Sequence, residues 1–106
     1  MRLTGSKAAT LHAVAAAVAD GLDLRPGADL AGTRARMLAI RGVGPWTTEF
    51  VAMCALADPD ACPVGDLVLA RALGIKPGGP VARAAERWRP WRAYATMHLW
   101  TKESYL

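Results

Sequence analysis

Alanine constrains the fold of this chain more than any other residue type, because it fills 22 of the 106 positions. Alanine is the strongest helix former, whereas a β-sandwich would need more Val, Ile and Thr. No segment shows the alternation of apolar and polar residues that is typical of a half-buried strand. The composition therefore predicts an all-α fold, a helical bundle. A chain of this length has room for one domain, residues 1–106.

Glycine, proline and aspartate divide the sequence into six segments with helical patterns. The predicted helices cover residues 6–20, 31–39, 46–57, 66–73, 81–88 and 91–103. In the first of them, Leu11, Val14 and Val18 recur at helical spacing. We expect these three side chains to form its apolar face, and Gly21 to end the helix.

Two further groups of side chains are expected to be buried. Met37, Leu38 and Ile40 form the apolar side of the second predicted helix. Cys54 and Cys62 lie close together in sequence, and no His or Cys partner follows them at zinc-site spacing. We therefore interpret the two cysteines as reduced, small hydrophobic residues of a cytoplasmic protein.

The charge of the chain is compatible with a phosphate-bearing partner. The net charge is +4, and ten of the 13 basic residues are Arg, which binds phosphate oxygens in a forked geometry. A charge of +4 is also ordinary for a soluble domain. Arg71 is expected either to contact phosphate or to pair with an acid, and these alternatives stay open. Four other arginines are expected to form a solvated face: Arg83, Arg87, Arg89 and Arg92.

A glycine-rich turn separates the second and third predicted helices. Gly42 and Gly44 flank one aliphatic residue, and Pro45 is suited to the first position of the helix that follows. Glycines let the main chain approach another surface, and the unpaired N–H groups that open a helix suit a phosphate. From the glycine pattern alone, a plain turn between helices is an equally open interpretation.

Asp66 follows a short segment that contains Pro63 and Gly65, and it precedes an apolar run. Aspartate in this position is typical of a helix N-cap. A carboxylate held there by backbone N–H groups is also suited to stabilise a nearby cation. The two roles are compatible, and the residue pattern does not choose between them.

Three motifs together resemble one enzyme family. The stretch LAIRGVGPWTTEF, residues 38–50, resembles the helix–hairpin–helix of the HhH-GPD DNA glycosylases. The stretch PVGDLVL, residues 63–69, resembles the Gly/Pro-rich loop and aspartate that give the superfamily its name. The stretch AERWRPWRAYATMHLW, residues 85–100, is similar to the last helix of the DNA-3-methyladenine glycosylase II branch. The resemblance places the hairpin at residues 38–46 and the Gly/Pro–Asp loop at 63–66.

The resemblance implies base excision repair: alkylated purines such as 3-methyladenine are removed from duplex DNA by hydrolysis of the N-glycosidic bond. It puts the catalytic aspartate on Asp66. Trp46 stands where bifunctional relatives carry a nucleophilic lysine, which implies a monofunctional enzyme that uses water. Trp46, Phe50 and Trp100 would line the pocket for the flipped base, although this branch often has Tyr at the position of Phe50.

The resemblance also implies how the hairpin binds DNA. The phosphate-binding positions would be Arg41, Gly42, Val43, Gly44 and Thr47. The backbone carbonyls of Leu38, Ile40 and Val43 would hold a monovalent cation, Na⁺ or K⁺, beside a DNA phosphate. We expect no nucleotide cofactor, no catalytic metal and no membrane association, and a nucleoid-associated location in the cytoplasm.

The family fold is longer than this chain and includes elements that complete its core and supply a wedge residue. Helices of a shorter chain should therefore expose apolar surface. Two alternatives to an active glycosylase remain: a catalytically silent DNA-binding fragment that retains the hairpin, and a helical interaction domain without a role on DNA.

Overall fold

The structure, a computed structural model, describes residues 5–76 and 79–103. Residues 1–4, 77–78 and 104–106 lie outside the described part, so the predicted domain limits at 1 and 106 fall outside it too. The described residues form helices and no strands, which confirms the all-α prediction. None of their helices is both long and apolar enough to cross a bilayer.

The described part of the chain contains six α-helices and one 3₁₀ turn. They are α1 Gly5–Ala19, α2 Leu30–Leu38, α3 Pro45–Cys54, α4 Leu67–Ala72, α5 Val81–Ala85, the 3₁₀ turn Glu86–Trp88, and α6 Arg92–Lys102. Each predicted helix is present within a few residues of its expected limits. The largest differences are three residues long. α3 stops at Cys54 rather than near residue 57, and Ala57 adopts a left-handed conformation (φ 55°). The last three residues predicted for α5 form the 3₁₀ turn instead.

Two adjoining apolar clusters surround α6. One joins α3 to α6 and contains Ala52, Met53, Leu56, Ala61, Ala93 and Trp100. The other joins α4 and α5 to α6 and contains Cys62, Leu69, Ala70, Val81 and Ala85. Because α6 contributes to both, it is the helix around which the second half of the chain packs.

A third, smaller cluster attaches α1 to the rest of the molecule. Its buried members are Leu22, Met37 and Val43, and Val14 of α1 packs against them. None of the 15 residues of α1 is buried. The expected apolar face is therefore exposed at two of its three positions, Leu11 and Val18. The radius of gyration, 14.6 Å, exceeds the roughly 13 Å of a compact 100-residue domain, in keeping with this loosely covered helix.

Two further burial predictions are wrong. Leu38 is 49% exposed, because the inner side of α2 is formed by Thr33 and Met37, and Leu38 follows Met37 by one position. Cys54 is exposed at the last turn of α3, where the neighbouring Met53 points inward. Cys62 is buried as expected, and both thiols are free.

Candidate active site

Asp66 begins α4 and lies at the centre of the candidate site. Its backbone N–H bonds back to the carbonyl of Pro63 (2.9 Å), which closes the turn before the helix. Its side-chain Oδ2 accepts the backbone N–H of Leu69 at 2.7 Å, the standard N-cap hydrogen bond. The N-cap interpretation is therefore confirmed. Asp66 as a whole is only 6% exposed.

Two tryptophans donate hydrogen bonds to the same carboxylate. The indole N–H of Trp46, in the first turn of α3, donates to Oδ1 at 2.7 Å. The indole N–H of Trp100, near the end of α6, donates to Oδ2 at 2.9 Å. Asp66 thus accepts three N–H donors from three different helices. An acceptor-only side chain surrounded in this way is a fixed negative charge.

The aromatic residues named from the sequence meet beside this carboxylate. Trp46 and Phe50, one helical turn apart on α3, stack with centroids 5.1 Å apart and an interplanar angle of 12°. Trp100 lies 6.2 Å from Trp46 and 6.0 Å from Phe50, tilted by 33°. Trp100 is fully buried, whereas Trp46 and Phe50 are partly exposed. A base entering from solvent would therefore meet Trp46 and Phe50 first.

The hairpin between α2 and α3 presents its main chain to solvent. Arg41, Gly42 and Thr47 are exposed, whereas Val43 is buried in the third cluster and anchors the turn. Gly44 is the N-cap of α3, and its carbonyl accepts both the N–H and the hydroxyl of Thr48 (3.0 and 2.9 Å). Because the amides at the start of α3 have no intrahelical acceptor, they are available to an anion.

The carbonyls predicted to hold a cation lie at the end of α2 and in the turn. Leu38 is the last residue of α2, where carbonyls lack intrahelical donors. The carbonyl of Ile40 accepts the N–H of Val43 at 3.0 Å and retains its second lone pair. Carbonyl oxygens of this kind are hard ligands, so the donor chemistry fits a monovalent cation.

A polar contact at Thr10 joins the first helix to the hairpin. The hydroxyl of Thr10 lies 3.2 Å from the carbonyl of Arg41 and 3.0 Å from that of Ser6, both within hydrogen-bond reach. Gly42 has φ +95°, and a Cβ there would collide with the Thr10 side chain. A groove of about 440 Å³, lined largely by apolar atoms, lies beside this contact between α1 and the hairpin.

A partly buried ion-pair network supports the site, and the sequence analysis did not anticipate it. Arg34 of α2 makes two hydrogen bonds to Glu49 of α3 (2.8 and 3.2 Å) and one to Asp58 (2.6 Å). Glu49 also accepts the backbone N–H of Cys62 at 3.1 Å. These partners are 13 to 24 residues apart. No local pattern identifies them, although a charged residue between Trp46 and Phe50 was a signal to look for one.

A second group of ion pairs corrects the expected solvated arginine face at Arg89 and Arg92, whereas Arg83 and Arg87 are exposed as expected. Asp60 accepts hydrogen bonds from Arg92 (2.9 and 3.3 Å) and from Arg89 (2.8 Å). Burial acts to raise the pKa of Asp60, but the hydrogen bonds and charge of Arg92 hold that pKa below its usual value. Arg92, the first residue of α6, and Arg89, in the segment before it, therefore tie the start of α6 to the turn after α3. Arg71 lies 3.7 Å from Glu103, which favours pairing with an acid over phosphate contact.

Comparisons with known proteins agree with the motif analysis. No protein-family model matches the chain. It is 50% identical over 98 residues to a Mycobacterium tuberculosis protein named probable bifunctional transcriptional activator/DNA repair enzyme AlkA, a match covering 87% of this chain and 20% of the relative. It is 31% identical over 98 residues to the Escherichia coli DNA-3-methyladenine glycosylase 2, covering 92% of this chain and 34% of the relative. A Bacillus subtilis DNA-3-methyladenine glycosylase is 35% identical over 71 residues, a match covering 60% of this chain and 23% of the relative. The chain thus spans between a fifth and about a third of the length of these relatives.

Proposed function

Because this chain is homologous to part of the DNA-3-methyladenine glycosylases, we propose that it carries the catalytic centre of a monofunctional DNA glycosylase. Its substrates would be alkylated purines such as 3-methyladenine in duplex DNA. The observation that carries the proposal is the Asp66 carboxylate, buried and held by three N–H donors beside the Trp46–Phe50 stack.

Asp66 acts in this proposal as a fixed anion. Cleavage of an N-glycosidic bond develops positive charge on the sugar, as cleavage of an O-glycosidic bond does. The C1′–N bond breaks with its electron pair going to the purine, the oxygen of water bonds to C1′, and the water proton is released. A carboxylate already oriented by N–H donors stabilises this charge without reorganising at the moment of reaction.

Trp46 and Phe50 form the part of the base pocket that solvent can reach. Electron-rich rings attract a positively charged alkylated purine, a cation–π interaction of about 0.5–2 kcal/mol. Trp46 also occupies the position where bifunctional relatives have a lysine, so the chain lacks that nucleophile. The products would be a free base and an intact strand with an abasic site.

The hairpin would hold the DNA backbone. The exposed Arg41 and Thr47 flank the free amides at the start of α3, and the carbonyls of Leu38, Ile40 and Val43 would hold a monovalent cation next to the phosphate. These contacts are independent of base sequence, so they would position the enzyme rather than select the lesion.

The test is release of free base from methylated duplex DNA by the 106-residue chain. We expect Asp66→Asn to slow release by at least about 100-fold, as loss of one preorganised electrostatic group does. Asparagine is also a good N-cap, so α4 should persist, and circular dichroism checks this. The matched control is Asp23→Asn at an exposed carboxylate, which should leave release unchanged. Equal release by wild type and Asp66→Asn would refute the catalytic assignment.

A second candidate is a DNA-binding chain without catalysis. The observation that favours it is the closeness of the rings: Trp46 and Phe50 stack directly, and Trp46 is bonded to Asp66. This candidate predicts weak, strongly salt-dependent duplex binding, with a Kd of about 10⁻⁴–10⁻⁶ M and no base release. Release that depends on Asp66 would exclude it. Failure of the folded chain to bind DNA at low salt would instead favour a helical interaction domain.

A further inference from the structure

We propose that the two oxygens of Asp66 have different tasks, and that Trp100 is a positioning residue for the reaction. Oδ2 is the anchored oxygen, and Oδ1 is the oxygen that faces the substrate. In this structure Oδ1 is capped by Trp46, which releases it when a base enters. The inference rests on the proposed glycosylase function and adds how the carboxylate is oriented and uncovered.

The anchored oxygen is held from within the protein. Oδ2 accepts the backbone N–H of Leu69 and the indole N–H of Trp100. Leu69 and Trp100 both have zero exposure, and they belong to the two clusters that α6 joins. Neither donor can leave without disrupting the core. Together they fix both the position of the carboxylate and the direction in which its other oxygen points.

The capped oxygen is held from the solvent side. Oδ1 accepts the indole N–H of Trp46, which is partly exposed and lies in the first turn of α3, directly after the exposed hairpin. Among the described residues this is the one donor that Oδ1 has. Because the donor is a single side chain at an exposed helix end, it is the replaceable partner of Asp66.

The same ring blocks the pocket and caps the carboxylate. The Trp46–Phe50 stack leaves a 5.1 Å centroid separation, whereas a base inserted between two rings needs about twice the normal stacking distance. A base that inserts there must separate the two rings. The separation that we infer is a movement of Trp46, which breaks its bond to Oδ1. Base entry and exposure of the anion are therefore one event, so the charge is presented only when a sugar is in place.

The role of Trp100 is tested by replacing its N–H alone. A tryptophan analogue in which sulfur replaces the indole N–H keeps the ring shape. Placed at position 100, it should lower the single-turnover rate of base release about 10- to 100-fold, the effect of a misoriented group, while the Kd for DNA stays within twofold. The matched control puts the same analogue at Trp91, which is 57% exposed and packs against Tyr94, and should change neither value.

The cap is tested by the indole N–H signals of the wild-type chain, with Asp66→Asn as the reference that identifies the two hydrogen bonds. In the free protein, the signals of Trp46 and Trp100 should exchange slowly with solvent, and Asp66→Asn should shift both but not those of Trp88 and Trp91. A duplex with a 2′-fluoro-7-methylguanine nucleotide, which binds but is cleaved slowly, should make the Trp46 signal exchange at least several-fold faster and leave that of Trp100 protected.

The outcomes separate this inference from the proposed function. A wild-type chain that releases no base refutes the glycosylase proposal and, with it, this inference. Release that is active in wild type and unchanged by the analogue at position 100 refutes only the positioning role. A Trp46 signal that stays protected when the fluorinated duplex is bound refutes the cap.

Discussion

The first helix and the Asp66 centre, which comprises Asp66, Trp46, Phe50, Leu69 and Trp100, are both rich in apolar residues but are buried very differently. α1 has seven alanines in 15 residues, and none of its residues is buried. Around Asp66, by contrast, Leu69 and Trp100 are completely buried and every donor to the carboxylate comes from a different helix. Apolar composition alone therefore does not make a core. The Asp66 centre is buried because polar bonds and close packing from α3, α4 and α6 coincide.

The largest difference in stability should be seen when Leu→Ala is made in each region in turn. Leu69→Ala removes a fully buried side chain next to Asp66 and should lower the free energy of unfolding by about 2–5 kcal/mol. Leu11→Ala on α1 removes a side chain that is 56% exposed and should change the free energy of unfolding by less than about 0.5 kcal/mol. Urea unfolding followed by circular dichroism measures both. Equal losses would mean that α1 is packed as tightly as the Asp66 centre.

A smaller loss should follow removal of a charge from the partly buried network. Arg34→Met leaves Glu49 and Asp58 close together without their shared cation. We expect a loss of about 1–3 kcal/mol, between the values for exposed and fully buried pairs. Arg25→Met, at the exposed Asp23–Arg25 pair after α1, is the control and should have no measurable effect. If the two variants behave alike, the network does not hold α2, α3 and the loop before Asp66 together.

Sequence patterns predicted the parts of the site that are local. Asp66 as an N-cap needs only the turn before it and the apolar run after it. The pairing of Trp46 with Phe50 follows from their spacing of four residues on a helix. The resemblance brought Trp100 into the same group, although it is 34 residues from Asp66.

Contacts across the fold were not predictable in this way. The bonds from Trp46 and Trp100 to Asp66 span 20 and 34 residues, and the pair of Asp60 with Arg92 spans 32. A contact between two residues this far apart leaves no local pattern in the sequence. Arg92 was therefore predicted to be one of several solvated arginines. The exposure of Cys54 was missed for a related reason, because the inner side of α3 falls one residue earlier, at Met53.

The junction between the two regions should respond moderately to substitution. Gly42→Ala puts a side chain on a residue with φ +95° and pushes it against Thr10 of α1. The left-handed conformation alone should lower the free energy of unfolding by about 1–2 kcal/mol. Gly44→Ala is the matched control, because its backbone is extended and a Cβ there meets nothing within 4 Å.

Gly44→Ala should therefore alter the free energy of unfolding by less than about 0.5 kcal/mol, while its methyl group weakens duplex binding at the exposed start of α3. Urea titration and DNA binding at low salt, done on both variants, separate the two effects. Unchanged stability of Gly42→Ala would contradict the left-handed conformation of residue 42 and the close approach of Thr10.

The smallest expected effect is a difference in how stability depends on pH between Asp60, in the turn after α3, and Asp23, after α1. Asp60 has a folded-state pKa held below its usual value by Arg92, a partner 32 residues away that the unfolded chain does not keep close. Its contribution to stability is therefore present above the unfolded-state pKa of about 3.9 and is lost as the pH falls through the folded-state value. The pKa of Asp23 is also lowered, by Arg25, but that partner is two residues away and remains near it in the unfolded chain. Folding thus changes the environment of Asp60 far more than that of Asp23.

Urea unfolding at several pH values should show Asp60→Asn to be less stable than wild type near pH 6, with the difference in stability closing towards pH 3. Asp23→Asn should follow wild type throughout. A gap for Asp60→Asn that stays constant with pH would mean that its pairing with Arg92 contributes nothing to folding.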